Sequence, residues 1–120
     1  MNDPKLATLL PLTPATFHIL LSLHEGVKHG YRIKREVEER TAGVIRLGAG
    51  TLYEAIQRLD RSGLIDQTKA PADLETENSR WKFYCITAFG RKALAAELRR
   101  LESDVGLAHE LGLAAGPQDV

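Results

Sequence analysis

One cysteine in 120 residues, Cys85, leaves nothing for a thiol to pair with inside the chain. An internal disulfide framework is therefore excluded, and a reducing compartment is expected. The start of the chain lacks the charged n-region and apolar h-region of a secretory signal, so a cytoplasmic location is expected. Long apolar runs are missing too. The longest, Ile19 to Leu23 with Ser22 inside it, is far short of the roughly 20 residues a bilayer-crossing helix needs, and no membrane partner is expected. Charge of one sign is also absent. Sixteen basic residues balance sixteen acidic ones, so there is no global pull toward nucleic acid or an anionic surface, and any basic patch has to be local. Hydrophobic residues at 43% and charged residues at 27% exclude a disordered chain, and the length suits one domain with a real core.

Chemical constellations are equally scarce. Gly48-Ala49-Gly50 before Thr51 lacks the third glycine and the preceding buried strand of a dinucleotide fingerprint. It reads as a tight lead-in to a helix, whose free N–H groups suit a backbone phosphate. His24-Glu25-Gly26-Val27-Lys28-His29 spaces its histidines five apart across a glycine, which is wrong for a zinc protease helix. His18 and His109 have no neighbours at ligand spacing, Cys85 reads as a small buried hydrophobe, and no Ser, His and Asp grouping has a recognisable spacing. No catalytic residue, metal or cofactor is assigned, and the chain is read as a non-enzyme.

What is present is a succession of helices and one strand pair. Residues 1–12 form a short arm between prolines. Thr13 with Pro14 is an N-cap followed by a proline at the first helical position, and the helix runs to about His24 with Phe17, Leu20, Leu21 and His24 at helical spacing and Ile19 and Leu23 widening the face. A second, mostly solvated helix starts at Gly30, with Ile33 and Val37 inward and Gly43 closing it. Val44 to Leu47 is a β-prone link. From Gly50, Leu52, Ala55, Ile56 and Leu59 make the apolar face of a third helix that ends near Ser62, with Gly63 as its C′ residue. Residues 64–69 and 80–87 are β-prone and flank a polar loop, so they read as a hairpin. Its second strand alternates Trp81, Phe83 and Cys85 against Lys82, Tyr84 and Ile86, and Trp81 and Phe83 are expected in the hairpin core. Thr87 caps a last helix in which Leu94, Leu98, Leu101, Val105 and Ala108 repeat as a heptad seam.

Three helices followed at once by a hairpin make a winged helix-turn-helix. The fold class is mainly α with a small β-hairpin. Residues 13–87 form the DNA-binding domain, 88–113 a C-terminal dimerisation helix, and 114–120 a frayed tail. The third helix is then the recognition helix. Turning by helical periodicity, Tyr53, Glu54, Gln57, Arg58 and Arg61 leave the core. Gln57, Arg58 and Arg61 are placed to reach base edges or phosphates, and the Thr51 and Tyr53 hydroxyls suit phosphates. A packing role for Tyr53 against the wing stands beside that reading. Arg32, Lys34 and Arg35 on the second helix, and Lys69, Arg80 and Lys82 on the hairpin, are expected to supply local positive charge. Leu94, Leu98, Leu101 and Val105 are the expected dimer contacts.

Residues 21–33, 47–65 and 81–94, in this order and spacing, resemble the PadR family of bacterial transcription regulators. His29-Gly30-Tyr31, Gly50-Thr51-Leu52-Tyr53 and Tyr84-x-Ile86-Thr87-x-x-Gly90-Arg91-Lys92-Ala93-Leu94 carry the resemblance. It implies a dimeric winged-helix repressor that acts on its own promoter and on detoxification or efflux genes. It also implies DNA contacts from the start of the third helix and the wing, and Tyr31 and Arg32 join the DNA-binding set with it. Two departures stand out: Asp73, Glu75 and Glu77 put negative charge at the wing tip, and the last helix is single and short. An effector, small and aromatic or hydrophobic, is expected between subunits or between the dimer interface and the DNA-binding unit, with Phe17 and Trp81 among its contacts. Double-stranded DNA, a second copy of the chain and that effector are the expected partners. A winged-helix module that docks to a sensor or another regulator is the alternative.

Overall fold

The computed structural model describes residues 3–72 and 81–113. In chain order the elements are α1 (Pro4–Ala7), α2 (Pro14–His24), β1 (Lys28–His29), α3 (Gly30–Arg40), α4 (Ala49–Arg61), β2 (Ile65–Thr68), β3 (Phe83–Ile86) and α5 (Ala88–Glu110). Two of the long helices, α2 and α5, start at a threonine cap. The Thr13 side chain accepts the Thr16 N–H at 3.1 Å ahead of Pro14, and the Thr87 hydroxyl accepts the Gly90 N–H at 2.9 Å. At the end of α4, Gly63 takes a left-handed φ of 77°. The Leu64 N–H then returns to the Leu59 carbonyl at 2.9 Å and the Gly63 N–H to that of Asp60 at 3.0 Å, so two orphan carbonyls are satisfied.

The core lies where α2, α3, α4 and the sheet converge. Ile19, Leu20 and Leu23 of α2 meet Ile33 and Val37 of α3, Leu52, Ala55, Ile56 and Leu59 of α4, and Ile65, Phe83 and Ile86 of the strands. His24 stands outside this face and is exposed, whereas Thr16 and Ser22 are buried within it. The short arm is tied down by Glu97 of α5. That carboxylate is only 2% exposed and accepts the Leu12 N–H at 3.2 Å, with Arg100 at 2.7 Å.

The sheet differs from the expected two-stranded hairpin. It has three antiparallel strands in the order β1-β3-β2, with Lys28 opposite Tyr84, His29 opposite Phe83, and Ile65 opposite Ile86. Because β3 is the central strand, simple alternation fails. Phe83, Tyr84 and Ile86 are all buried, Cys85 is half-buried, and Trp81 and Lys82 precede the strand and are exposed. The Val44 to Leu47 link is no strand. The Val44 N–H closes on the Thr41 carbonyl at 3.0 Å and the Ile45 N–H on the Thr41 hydroxyl at 3.0 Å, which folds the segment into a turn. α3 also closes one residue before Gly43, on Ala42 at φ 52°.

A buried ionic cluster joins α2, β1 and α3. Lys28, 4% exposed, places its ammonium on the Ser22 hydroxyl at 3.2 Å, Glu25 at 2.7 Å and Glu36. Glu36 also takes hydrogen bonds from Ser22 at 2.8 Å and Arg32 at 3.0 Å. Burial pushes the Glu36 carboxyl up, but the bonds from Lys28, Ser22 and Arg32 outweigh it and hold the pKa near 2, against 4.5 for a free side chain. The folded-state pKa is depressed, so this stabilisation is complete above about pH 4.5 and is lost as pH falls toward 2. Denaturant midpoints measured across that window should fall steeply for the native chain. Glu36→Gln should be less stable at neutral pH and show a flatter acid limb; parallel limbs would remove Glu36 from the linkage.

Candidate nucleic-acid interface

The inward side of α4 is fully committed to the core, which leaves the outward side chemically free. Leu52, Ala55, Ile56 and Leu59 are buried, whereas Thr51, Tyr53, Glu54, Gln57, Arg58 and Arg61 are exposed. Among the described residues neither Arg58 nor Arg61 enters an ion pair. At the start of the helix, Gly48 stands at the N-cap with no side-chain hydrogen bond. The first-turn N–H groups, with the Thr51 hydroxyl beside them, therefore face outward without a capping acceptor, a suitable arrangement for an anionic oxygen.

α3 and the strands flank this helix. Tyr31 and Arg32 are exposed at the start of α3, Lys69 just after β2, and Lys82 just before β3. Arg80 and the acidic residues Asp73, Glu75 and Glu77 lie outside the described residues. The cations of α3 are less available than their number suggests. Arg32 pairs with Glu36 at 3.0 Å, Lys34 with Glu38 at 3.0 Å, and Arg35 with Glu39 at 3.3 Å. Each is an i,i+4 pair on one helix face, so the local positive charge expected from α3 is largely neutralised within the helix. Among the described residues, what remains on this face comes from Arg58, Arg61, Lys69 and Lys82.

His29, read from sequence only as half of a rejected zinc motif and as part of the family's His-Gly-Tyr, joins the helical and strand parts of the face. Its Nδ1 caps α3 by accepting the Arg32 N–H at 3.2 Å. Its ring lies 4.5 Å from the Trp81 ring and 5.5 Å, edge-on, from Phe83. Burial, with Arg32 nearby, lowers the His29 pKa, which favours the neutral ring that the cap requires. Trp81 is 44% exposed, so it belongs to the surface of the wing and not to a hairpin core, while Phe83 is buried as expected.

Between α3, α4 and the strands lies a cleft of about 450 Å³, lined by His29, Gly30, Tyr31 and Lys34 from one side, Ala49, Leu52, Tyr53 and Ile56 from α4, and Trp81, Lys82 and Tyr84 from the strand side. Tyr84 is buried, and burial first, then Tyr53 and Asp60, raises its pKa, so its phenol stays protonated. Phe17 is not part of this cleft. It stands on α2, packed against the core and edge-on to His18 at 5.4 Å, so within one chain Phe17 and Trp81 do not share a pocket.

α5 divides into two parts. Gly90, Ala93, Leu94 and Glu97 are buried against the chain's own domain, and no residue from Leu98 to Glu110 is. Leu94 therefore packs inside the domain, whereas Leu98, Val105, Leu107 and Leu111 are exposed and Leu101 and Ala108 half-exposed. No helix among the described residues is long and apolar enough to cross a membrane.

Known proteins share this arrangement. The model of the PadR-like family of transcriptional regulators matches residues 19–96. A 37.1 kDa protein in transposon TN4556 of Streptomyces fradiae is 33% identical over 79 residues, and the chain spans 66% of itself but 20% of that protein in the match. Protein X of Lysinibacillus sphaericus is 31% identical over 80 residues, 67% of this chain and 70% of its own length. The fold of a PadR family transcription regulator from Clostridium difficile R20291 superimposes with a TM-score of 0.68 at 23% identity, over 82% of this chain and 98% of that one. The recognition-type helix, the flanking wing and the family match over most of the folded chain agree: the protein has a winged-helix fold and belongs to the PadR-like family of transcriptional regulators.

Proposed function

We propose that the protein is a homodimeric, ligand-responsive repressor of its own promoter and of neighbouring detoxification or efflux genes. The observation that carries the DNA-reading part is the exposed side of α4, whose two arginines enter no ion pair among the described residues while the opposite side is buried. One α4 per protomer would enter successive major grooves of a two-fold symmetric operator, with the wing along the flanking backbone. Gln57, Arg58 and Arg61 would reach base edges or phosphates. Thr51, Tyr53 and Tyr31 would offer hydroxyls to phosphates, and Arg32, Lys69, Arg80 and Lys82 would add charge. The unpartnered half of α5 would pair the protomers. Repression would follow from occlusion of the promoter.

Fluorescence anisotropy against DNA from upstream of the gene, with a scrambled duplex as control and at several salt concentrations, tests this reading. Specific binding that weakens steeply with salt is expected, because phosphate contacts release counterions. Arg61→Ala should weaken binding about tenfold and lower the log–log salt slope by about one if it contacts one phosphate. An unchanged slope would take Arg61 off the contact list. Equal affinity for the scrambled duplex at every salt concentration would sink sequence-specific recognition of that DNA and turn the search to protein partners.

A further inference from the structure

The outward side of α4 holds a carboxylate that neither packing nor charge pairing accounts for. Glu54 is exposed among Thr51, Tyr53, Gln57, Arg58 and Arg61. At about 100° of turn per residue, Gly50, Glu54, Gln57 and Arg61 fall within about 30° of the direction opposite the buried row of Leu52, Ala55, Ile56 and Leu59. Tyr53 and Arg58 stand about 70° to either side. Glu54 is thus on the centre line of the face. It is also the first long side chain there, because Gly50, one turn earlier, has none to hold the helix away from a groove. Helices of this type bring the residues of their N-terminal part to base edges, so Glu54 would meet the floor of the groove and not its phosphate walls.

The pairing pattern keeps that carboxylate available. On α3, Arg32, Lys34 and Arg35 close three i,i+4 pairs in the order cation then carboxylate, the less favourable direction along a helix. Glu54 and Arg58 stand at i,i+4 in the favourable direction, yet among the described residues Glu54 enters no ion pair. A free carboxylate is repelled by phosphates and by most base edges. In the major groove guanine shows two acceptors, thymine one, and adenine an acceptor beside its amino group. Cytosine alone shows a donor, its N4 amino group, with no acceptor of its own.

We propose that Glu54 is a specificity-determining residue whose carboxylate accepts a hydrogen bond from the N4 amino group of one cytosine in each half-site of the operator. This rests on the DNA-reading role proposed above and deepens it. Phosphate contacts strengthen binding to any duplex, whereas Glu54 disfavours every duplex that puts an acceptor at that place.

Selection of duplexes from a randomised pool, by the native full chain and by Glu54→Ala, reads the assignment directly. The native pool should converge on a two-fold repeat with one cytosine per half-site that no other base replaces. The Glu54→Ala pool should keep the rest of the repeat and lose its preference at that one position. The selected duplex then serves a double-mutant cycle. Changing that C·G pair to T·A should weaken the native protein at least about tenfold, because an acceptor replaces the donor. Glu54→Ala should bind the two duplexes within about twofold of each other. A side chain with a merely structural role would lower affinity for both duplexes alike and would lower Tm, whereas Tm should be unchanged for this exposed residue. Pools with the same preferences at every position, or a lost preference for a base other than cytosine, would overturn the contact and leave DNA reading in place. A native pool with no enriched sequence would overturn both the contact and the DNA-reading role on which it rests.

Discussion

Gly90→Ala is expected to unfold the protein at temperatures the native chain withstands, although it adds one methyl group at a good helix position. A Cβ at Gly90 would stand 2.2 Å from the Leu64 carbonyl oxygen and 2.7 Å from Ile86 Cγ1. The carbonyl cannot step aside cheaply, because it already accepts the Thr87 N–H at 3.1 Å, and the Thr87 hydroxyl donates to the Gly63 carbonyl at 2.6 Å. These bonds fix the first turn of α5 against the connection from α4 to β2. Relief of the clash requires α5 to move as a body, which would disturb Ala93, Leu94 and Glu97 together. The cost should reach about 3 kcal/mol or more, a fall in Tm of roughly 15 °C for a chain of this length. Gly106→Ala, in the same helix but with nothing within 4 Å of the added atom, should instead gain about 0.5–1 kcal/mol from helix propensity. Two melting curves decide the matter, and a Gly90→Ala protein as stable as the parent would show that the close approach carries no constraint.

The same neighbourhood marks what a sequence can and cannot disclose. Thr87 and the apolar spacing of α4 and α5 were legible, because caps and helical periodicity are local signals, whereas Gly90 entered only through the family resemblance. The β1 strand was not. Two residues carry no period, and Lys28 would ordinarily be assigned to solvent, yet Ser22, Glu25 and Glu36 enclose its ammonium from two helices. His29 was dismissed as half of a failed metal motif. Its role as a helix cap that also packs, tilted, against Trp81 depends on a segment about fifty residues further along the chain. The cations of α3 were counted as free because composition gives their number and not their pairing. Leu94 was grouped with the seam because heptad spacing gives a helix face without saying which body covers each turn.

That division within the seam leads to a further expected result, which rests on the proposed homodimer: Val105→Glu should yield a folded monomer. Val105 is 54% exposed, so a carboxylate there costs the isolated chain little. Leu98 to Glu110 extends about 20 Å with no buried residue of its own, and in the dimer Val105 of each protomer would face the other across the two-fold axis. Two like charges in an apolar seam should raise the dimer dissociation constant at least about a hundredfold. Light scattering should then report half the native mass, with an unchanged circular dichroism spectrum. DNA affinity should fall by a factor on the order of 10² to 10⁴, because the second half-site no longer benefits from the effective concentration that linkage provides. Leu94→Ala should do the reverse. Its side chain packs in its own domain, so it should lower Tm through a cavity costing about 2–3 kcal/mol and leave the protomers paired. A Val105→Glu protein with the native mass would place the dimer contact elsewhere, and a native chain that is itself monomeric would remove the two-fold operator from the proposal.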